Sequence, residues 1–147
     1  MLKETYKILV VLLVSIISIP AVSQVRRVKL CSSESHVRDA YIDVYEYDYV
    51  DEHPQFPGGE RGLVNFINKT REYPYDAYKA GIEGRVLCCF IVNIDGSLSN
   101  ITVVRGNNEQ FNREAVRVIS EMPKWKAGKV GNKSVPVFCY LPIAFRL

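Results

Sequence analysis

Residues 85–105 read RVLCCFIVNIDGSLSNITVVR, and residues 135–147 read VPVFCYLPIAFRL. In the first stretch Val86, Cys88, Phe90, Val92 and Ile94 share one side of a period-2 alternation, and all are apolar. Asp95-Gly96 then supplies the residue types that a two-residue hairpin turn demands, so Ser97–Arg105 is expected to return as the antiparallel partner. In the last stretch Val135, Val137, Cys139, Leu141, Ile143, Phe145 and Leu147 alternate without a break, which predicts one long strand with one buried face. The second face carries Pro136 and Pro142. Proline has no ladder donor, so this strand belongs at a sheet edge. An edge proline blunts stray pairing, and an open edge is also a rail for another chain's extended segment. Periodicity alone leaves both readings open.

Helical patterns flank these strands. Between Glu109 and Met122 the residues Phe111, Ala115, Val118, Ile119 and Met122 form one apolar stripe, and Pro123 ends it. Upstream, Leu63, Phe66 and Ile67 recur at helical spacing between Gly59 and Lys69. Pro74 opens a second short helix through Ala77 to Ala80, with Gly81 as its C-terminal cap. Residues 53–59 are a breaker cluster, HPQFPGG. Before it, Tyr41–Val50 mixes aromatic and β-branched residues with acids, as a short exposed strand would. Residues 124–134 read as a basic loop. The expected class is α+β, in one domain.

The composition is that of an ordinary globular chain: 147 residues, 48% hydrophobic, 24% charged, formal charge +3. No dense basic run suggests a nucleic-acid surface. The N-terminus has a different character. Lys3 and Lys7 precede the apolar run Ile8–Ile19, Pro20 breaks it, and Ala21-Val22-Ser23 offers small residues to a signal peptidase. Residues 1–23 therefore read as an export signal cleaved after Ser23, with a retained short anchor over 8–19 as the competing reading. Residues 24–53 then form a linker that includes the short strand, and 54–147 form the folded domain.

Charge in the exported part is segregated. Residues 34–60 hold eight acids and one base, whereas 122–147 hold five bases and no acid. Surface ion pairs are worth about 0–1 kcal/mol each, so two separately solvated faces are the simpler expectation. Cys31, Cys88, Cys89 and Cys139 would meet an oxidising compartment, where three complete pairings exist, but a chain of this size builds a core without them. Free buried thiols are expected, with Cys88 and Cys139 on the core face of neighbouring strands.

Catalytic constellations are missing from the pattern. His36 and His53 lie in the irregular acidic segment with no nucleophile nearby. Cys88-Cys89 sits within a strand, and a redox pair wants Cys-x-x-Cys at a helix start. Gly58-Gly59-Glu60 lacks the longer glycine pattern of a phosphate loop. The chain is read as a binding protein rather than an enzyme, with no cofactor and no metal.

Several motifs occur together and in order. Phe56-Pro57-Gly58-Gly59-Glu60 is followed by Tyr73-Pro74-x-x-Ala77 and by Gly81-Ile82-x-Gly84-Arg85-Val86. Asp95-Gly96-Ser97, Val103-Val104-Arg105-Gly106, Glu114-Ala115-Val116-Arg117-Val118, Met122-Pro123-Lys124-Trp125-Lys126 and Leu141-Pro142-Ile143-x-Phe145-x-Leu147 complete the series. Over about residues 54–147 the chain resembles the C-terminal domain of TonB. Ala127 stands where many relatives carry proline.

The resemblance implies a periplasmic domain with a three-stranded antiparallel sheet, the hairpin's first strand in the middle and the C-terminal strand at the edge, with helices on one face. It also implies capture of a short segment, the TonB box, of outer-membrane TonB-dependent receptors by strand addition to that edge. The expected partner-binding residues are Val135, Val137, Phe138, Cys139, Tyr140 and Leu141, with pairing concentrated between the two prolines. Full-length members are driven by an ExbB–ExbD motor through a membrane helix with a histidine and a Pro-rich spacer. Here Ile8–Ile19 contains no His and residues 24–53 no Pro, so motor coupling depends on whether the N-terminus is retained. The alternative is a secreted structural or regulatory module of the same fold. A second copy of the chain is a further partner left open.

Overall fold

The computed structural model describes residues 25–29 and 41–147. The export signal, His36 and Cys31 lie outside the described residues. The strands are β1 (Val25–Lys29), β2 (Tyr41–Tyr45), β3 (Gly84–Val92), β4 (Leu98–Arg105), β5 (Gly128–Val130), β6 (Lys133–Val135) and β7 (Val137–Phe145). The helices are α1 (Gly59–Thr70), α2 (Tyr75–Lys79) and α3 (Glu109–Ser120).

Strands β3 and β7 pair antiparallel from Gly84↔Phe145 to Val92↔Val137, the longest ladder among the described residues. In this register the apolar sides of both alternations coincide. Val86, Cys88, Phe90, Val92, Val137, Cys139, Ile143 and Phe145 are all buried in one core cluster with the α3 stripe Phe111, Ala115, Val118 and Ile119. Phe111 and Phe145 stack at 4.2 Å between centroids, and Tyr73 meets both rings edge-on. Helix α3 begins where Asn108 accepts from the backbone N–H groups of Gln110 and Phe111, at 2.9 and 3.1 Å. Helix α1 buries no residue fully; Phe66 and Ile67 rest half-buried against the cluster.

The sheet corrects the three-stranded antiparallel expectation. Its order is β1-β2-β7-β3-β4. Strand β2 pairs parallel with β7 at Tyr45↔Val137, and β1 pairs antiparallel with β2. The sheet is therefore mixed, and β7 is an edge only beyond Val137. Proline lacks a donor but keeps an acceptor: the Pro136 carbonyl accepts from the Tyr45 N–H at 2.9 Å.

The expected single strand 135–146 is also divided. Pro136 separates β6 from β7, and Val135 pairs with Gly128 in a small second sheet. The basic loop is thus a β5–β6 hairpin. The 85–105 hairpin has a longer connection than a two-residue turn. Asn93 accepts from the Gly96 N–H and donates to the Ser97 carbonyl, which ends β3 at Val92 and leaves Ile94 61% exposed instead of in the core. Gly96, at φ +82°, lies so close to the Trp125 carbonyl that a Cβ there would collide with backbone.

Candidate functional site

The outer side of β7 is defined by two contacts. Tyr45 donates its N–H to the Pro136 carbonyl, and the Arg71 guanidinium donates to the Ala144 carbonyl. In an antiparallel pair, alternate residues direct both backbone groups away from the partner. Pro136 and Ala144 share a parity with Phe138, Tyr140 and Pro142, so these residues present their backbone outward. Val137, Cys139 and Leu141 turn theirs toward β3. Past Val137, no described strand pairs with this side of β7. Tyr140, with N–H and C=O both outward and 49% exposed, is the centre of the open stretch.

The six expected binding residues therefore separate into distinct roles. Val135 belongs to β6, away from the β7 edge. Val137 and Cys139 are buried on the core face, and Leu141 is half-buried there. Phe138 is half-buried and Tyr140 exposed on the opposite face. Only Phe138 and Tyr140 combine an outward backbone with the side chains expected to flank a ligand.

Beside Tyr140 lies a groove of about 660 Å³ that the sequence reading did not find. Its floor is Phe90, Trp125 and Cys139; its walls are the 3₁₀ turn Tyr47–Tyr49 on one side and Phe56 with the start of α1 on the other. Trp125 meets Phe90 and Phe56 edge-on, at 5.5 and 5.7 Å. Tyr47 stacks on His53 at 4.2 Å. Burial pushes the Tyr47 hydroxyl up, as do the neighbouring Cys139, Asp48 and Glu60. The Phe-Pro-Gly-Gly-Glu motif marked one wall; what sequence could not give was the fold-back that brings residue 47 to residue 140.

That fold-back is built on backbone bonds. Glu52 and Lys129 exchange N–H···O bonds of 2.9 and 3.1 Å, and Gln55 and Lys126 exchange bonds of 2.8 and 3.1 Å. Glu52 adds side-chain bridges to Lys126 and Lys129 at 3.0 and 3.4 Å, which hold its carboxyl below the usual range. Residues 51–55 of the acidic segment and 126–129 of the basic one thus face each other, rather than being separately solvated.

The described residues contain no group of three or more His, Cys, Asp or Glu placed to hold a metal ion. No described helix is long and apolar enough to cross a membrane. Cys88, Cys89 and Cys139 are free; burial raises the thiol of Cys88 to about 11 and that of Cys139 to about 12. These thiols are packing groups, poor nucleophiles at neutral pH.

The family model for the C-terminal part of the Gram-negative bacterial TonB protein matches residues 69–147, which include β3, β4, α3 and β7. The chain belongs to the TonB C-terminal family. Two solution structures of the Helicobacter pylori TonB C-terminal domain are similar to it. The first is 32% identical over 58% of this chain and 77% of its own, with a TM-score of 0.46. The second is 31% identical over 58% and 89%, with a TM-score of 0.45. The Pseudomonas aeruginosa TonB C-terminal domain is 27% identical over 52% and 78%, also with a TM-score of 0.45. No curated protein matches the chain. Residues 41–68, which build both walls of the groove and the parallel strand β2, precede the part that the family model matches.

Proposed function

We propose that this chain is an exported, periplasmic TonB-like protein that docks extended segments of outer-membrane TonB-dependent receptors by adding them to β7 beyond Val137. The open backbone at Tyr140 carries this reading. Strand addition draws affinity from main-chain hydrogen bonds and selectivity from alternate side chains, and here both are available: ladder groups at Tyr140 and a groove beside them. The other outer strand of the main ladder, β4, is less suited. Its register shifts twice against β3, Asn100 sits at φ +51°, and the Asn100 carbonyl is already taken by the Thr102 hydroxyl. A bulge of this kind interrupts a regular ladder.

Energy coupling through ExbB–ExbD belongs to this proposal only if residues 1–23 stay attached as an anchor; cleavage after Ser23 would leave a docking module without a motor. The experiment is a titration of a labelled receptor segment, with circular dichroism as the fold control. Tyr140→Pro removes the outward donor without touching the β3 ladder. One hydrogen bond of about 0.5–1.5 kcal/mol is lost, so affinity should fall roughly twofold to tenfold. Phe138→Ala with Tyr140→Ala should also weaken binding. Unchanged affinity in both folded variants moves the site off this edge. Val137→Pro is not a useful probe, because its N–H faces β3 and the variant would damage the core ladder.

A further inference from the structure

Building on that docking mode, the groove beside Tyr140 restricts what can dock. A strand added to β7 alternates in phase with it, so a residue opposite Tyr140 faces outward while those opposite Cys139 and Leu141 face the groove. The floor there is apolar and aromatic, Phe90, Trp125 and Cys139. The rim is acidic. Glu46, Asp48 and Glu60 line the groove, and the described lining includes no Lys or Arg. The bases of the adjoining segment, Lys126 and Lys129, are held by Glu52. Asp48 on one wall and Glu60 on the other both push the Tyr47 hydroxyl up, so their charges face the same groove.

We propose that the groove selects an extended segment carrying a bulky apolar side chain with Lys or Arg two residues away. Positions two apart lie on one face of a strand, so the apolar group can fill the floor while the longer basic chain reaches the rim. An acidic residue in its place would face the rim carboxylates. Like-charge juxtaposition is what an interface uses to reject wrong partners.

The test uses the full chain and three labelled, Trp-free peptides of otherwise identical Val/Thr-rich sequence: one with Leu-x-Lys, one with Leu-x-Gln, one with Leu-x-Glu. Affinity is read from peptide anisotropy. Trp125, the single tryptophan of the chain, reports the groove by its own emission. Affinity should follow the order Lys, Gln, Glu, with the spread narrowing as salt rises. Asp48→Asn combined with Glu60→Gln should weaken the Lys peptide by about threefold to tenfold, as two partly exposed pairs are lost, and leave the Gln peptide unchanged. Equal affinity for the Lys and Glu peptides overturns the selectivity and leaves docking standing. Preference for Lys that survives the double substitution with Trp125 silent also overturns it, since the selecting charge then lies elsewhere. Absence of binding by all three overturns the docking mode together with this inference.

Discussion

At the level of single residues, the end of the core farthest from the groove is held by rings. Phe111 from α3, Phe145 from β7 and Tyr73 from the 71–74 connection form one cluster, and the Arg71 guanidinium lies 5.7 Å over the Phe145 ring. Gly84 passes so near Phe111 that a Cβ there would come within 2.9 Å of the ring. Removing Phe145 leaves a cavity that its neighbours cannot close, because each is fixed by the others. Phe145→Ala should cost about 3–5 kcal/mol, as buried Phe truncations do. Urea denaturation measures it, and a cost under 1 kcal/mol would mean that the stack is a loose surface feature. The cysteines follow a similar logic. Cys88 and Cys139 sat in phase with apolar alternations in the sequence, and both are buried there. A period-2 pattern suffices to place such a residue, because its orientation depends only on parity.

Elements were legible where their signals are local. The three helices, the β3 strand and the long ladder residues of β7 lie where spacing and breakers put them, within a residue or two at the ends. The hairpin connection was not, since Asp-Gly signals a turn without saying how many residues close it. Asn93 decides: its side chain bonds Ser97 and Ser99 at 3.2 and 3.1 Å, and its backbone closes the loop. The partner strand was equally opaque for a physical reason. Asn100 at positive φ shifts the alternation, so Leu98 packs inward before it and Ile101 and Val103 after it, which no single period describes. The turn itself is pH-sensitive. Hydrogen bonds from the Ser97 hydroxyl and N–H, with Lys124 assisting, hold the Asp95 carboxyl down to about 2, from an ordinary 3.8. A depressed folded-state pKa stabilises above the unfolded value and is lost as pH falls through the folded one. Asp95→Asn should therefore lower thermal stability at pH 7, where the carboxylate is ionised, and flatten the further loss between about pH 4 and pH 2. An acid limb identical to the parent would show that this turn opens before it titrates.

On the scale of the whole molecule, the feature hidden from the sequence is the return of residues 41–55, parallel to β7 at Tyr45 and antiparallel to 126–129 at Glu52 and Gln55. Parallel pairing joins segments more than ninety residues apart and leaves no turn signature between them, so its register cannot be read from a hydrophobic pattern alone. Its attachment is uneven. The 51–55 portion is held by five backbone bonds to 126–129, whereas β2 touches β7 at one register position. Besides that bridge, β2 is held by its ladder with β1, by Tyr45 half-buried against the core and by Val44, fully buried though outside the main core cluster. Burying a carboxylate there without a partner costs several kcal/mol, more than one backbone bond of about 1 kcal/mol returns. Val44→Asp should then release β2 while β3, β7 and α3 keep their packing, a local opening of the kind that native-state exchange resolves. Amide exchange read segment by segment should show residues 43–47 losing protection and 86–92 retaining theirs. Loss of protection across both segments would mean that β2 is integral to the sheet, and that an incoming strand meets a fixed border at Tyr45.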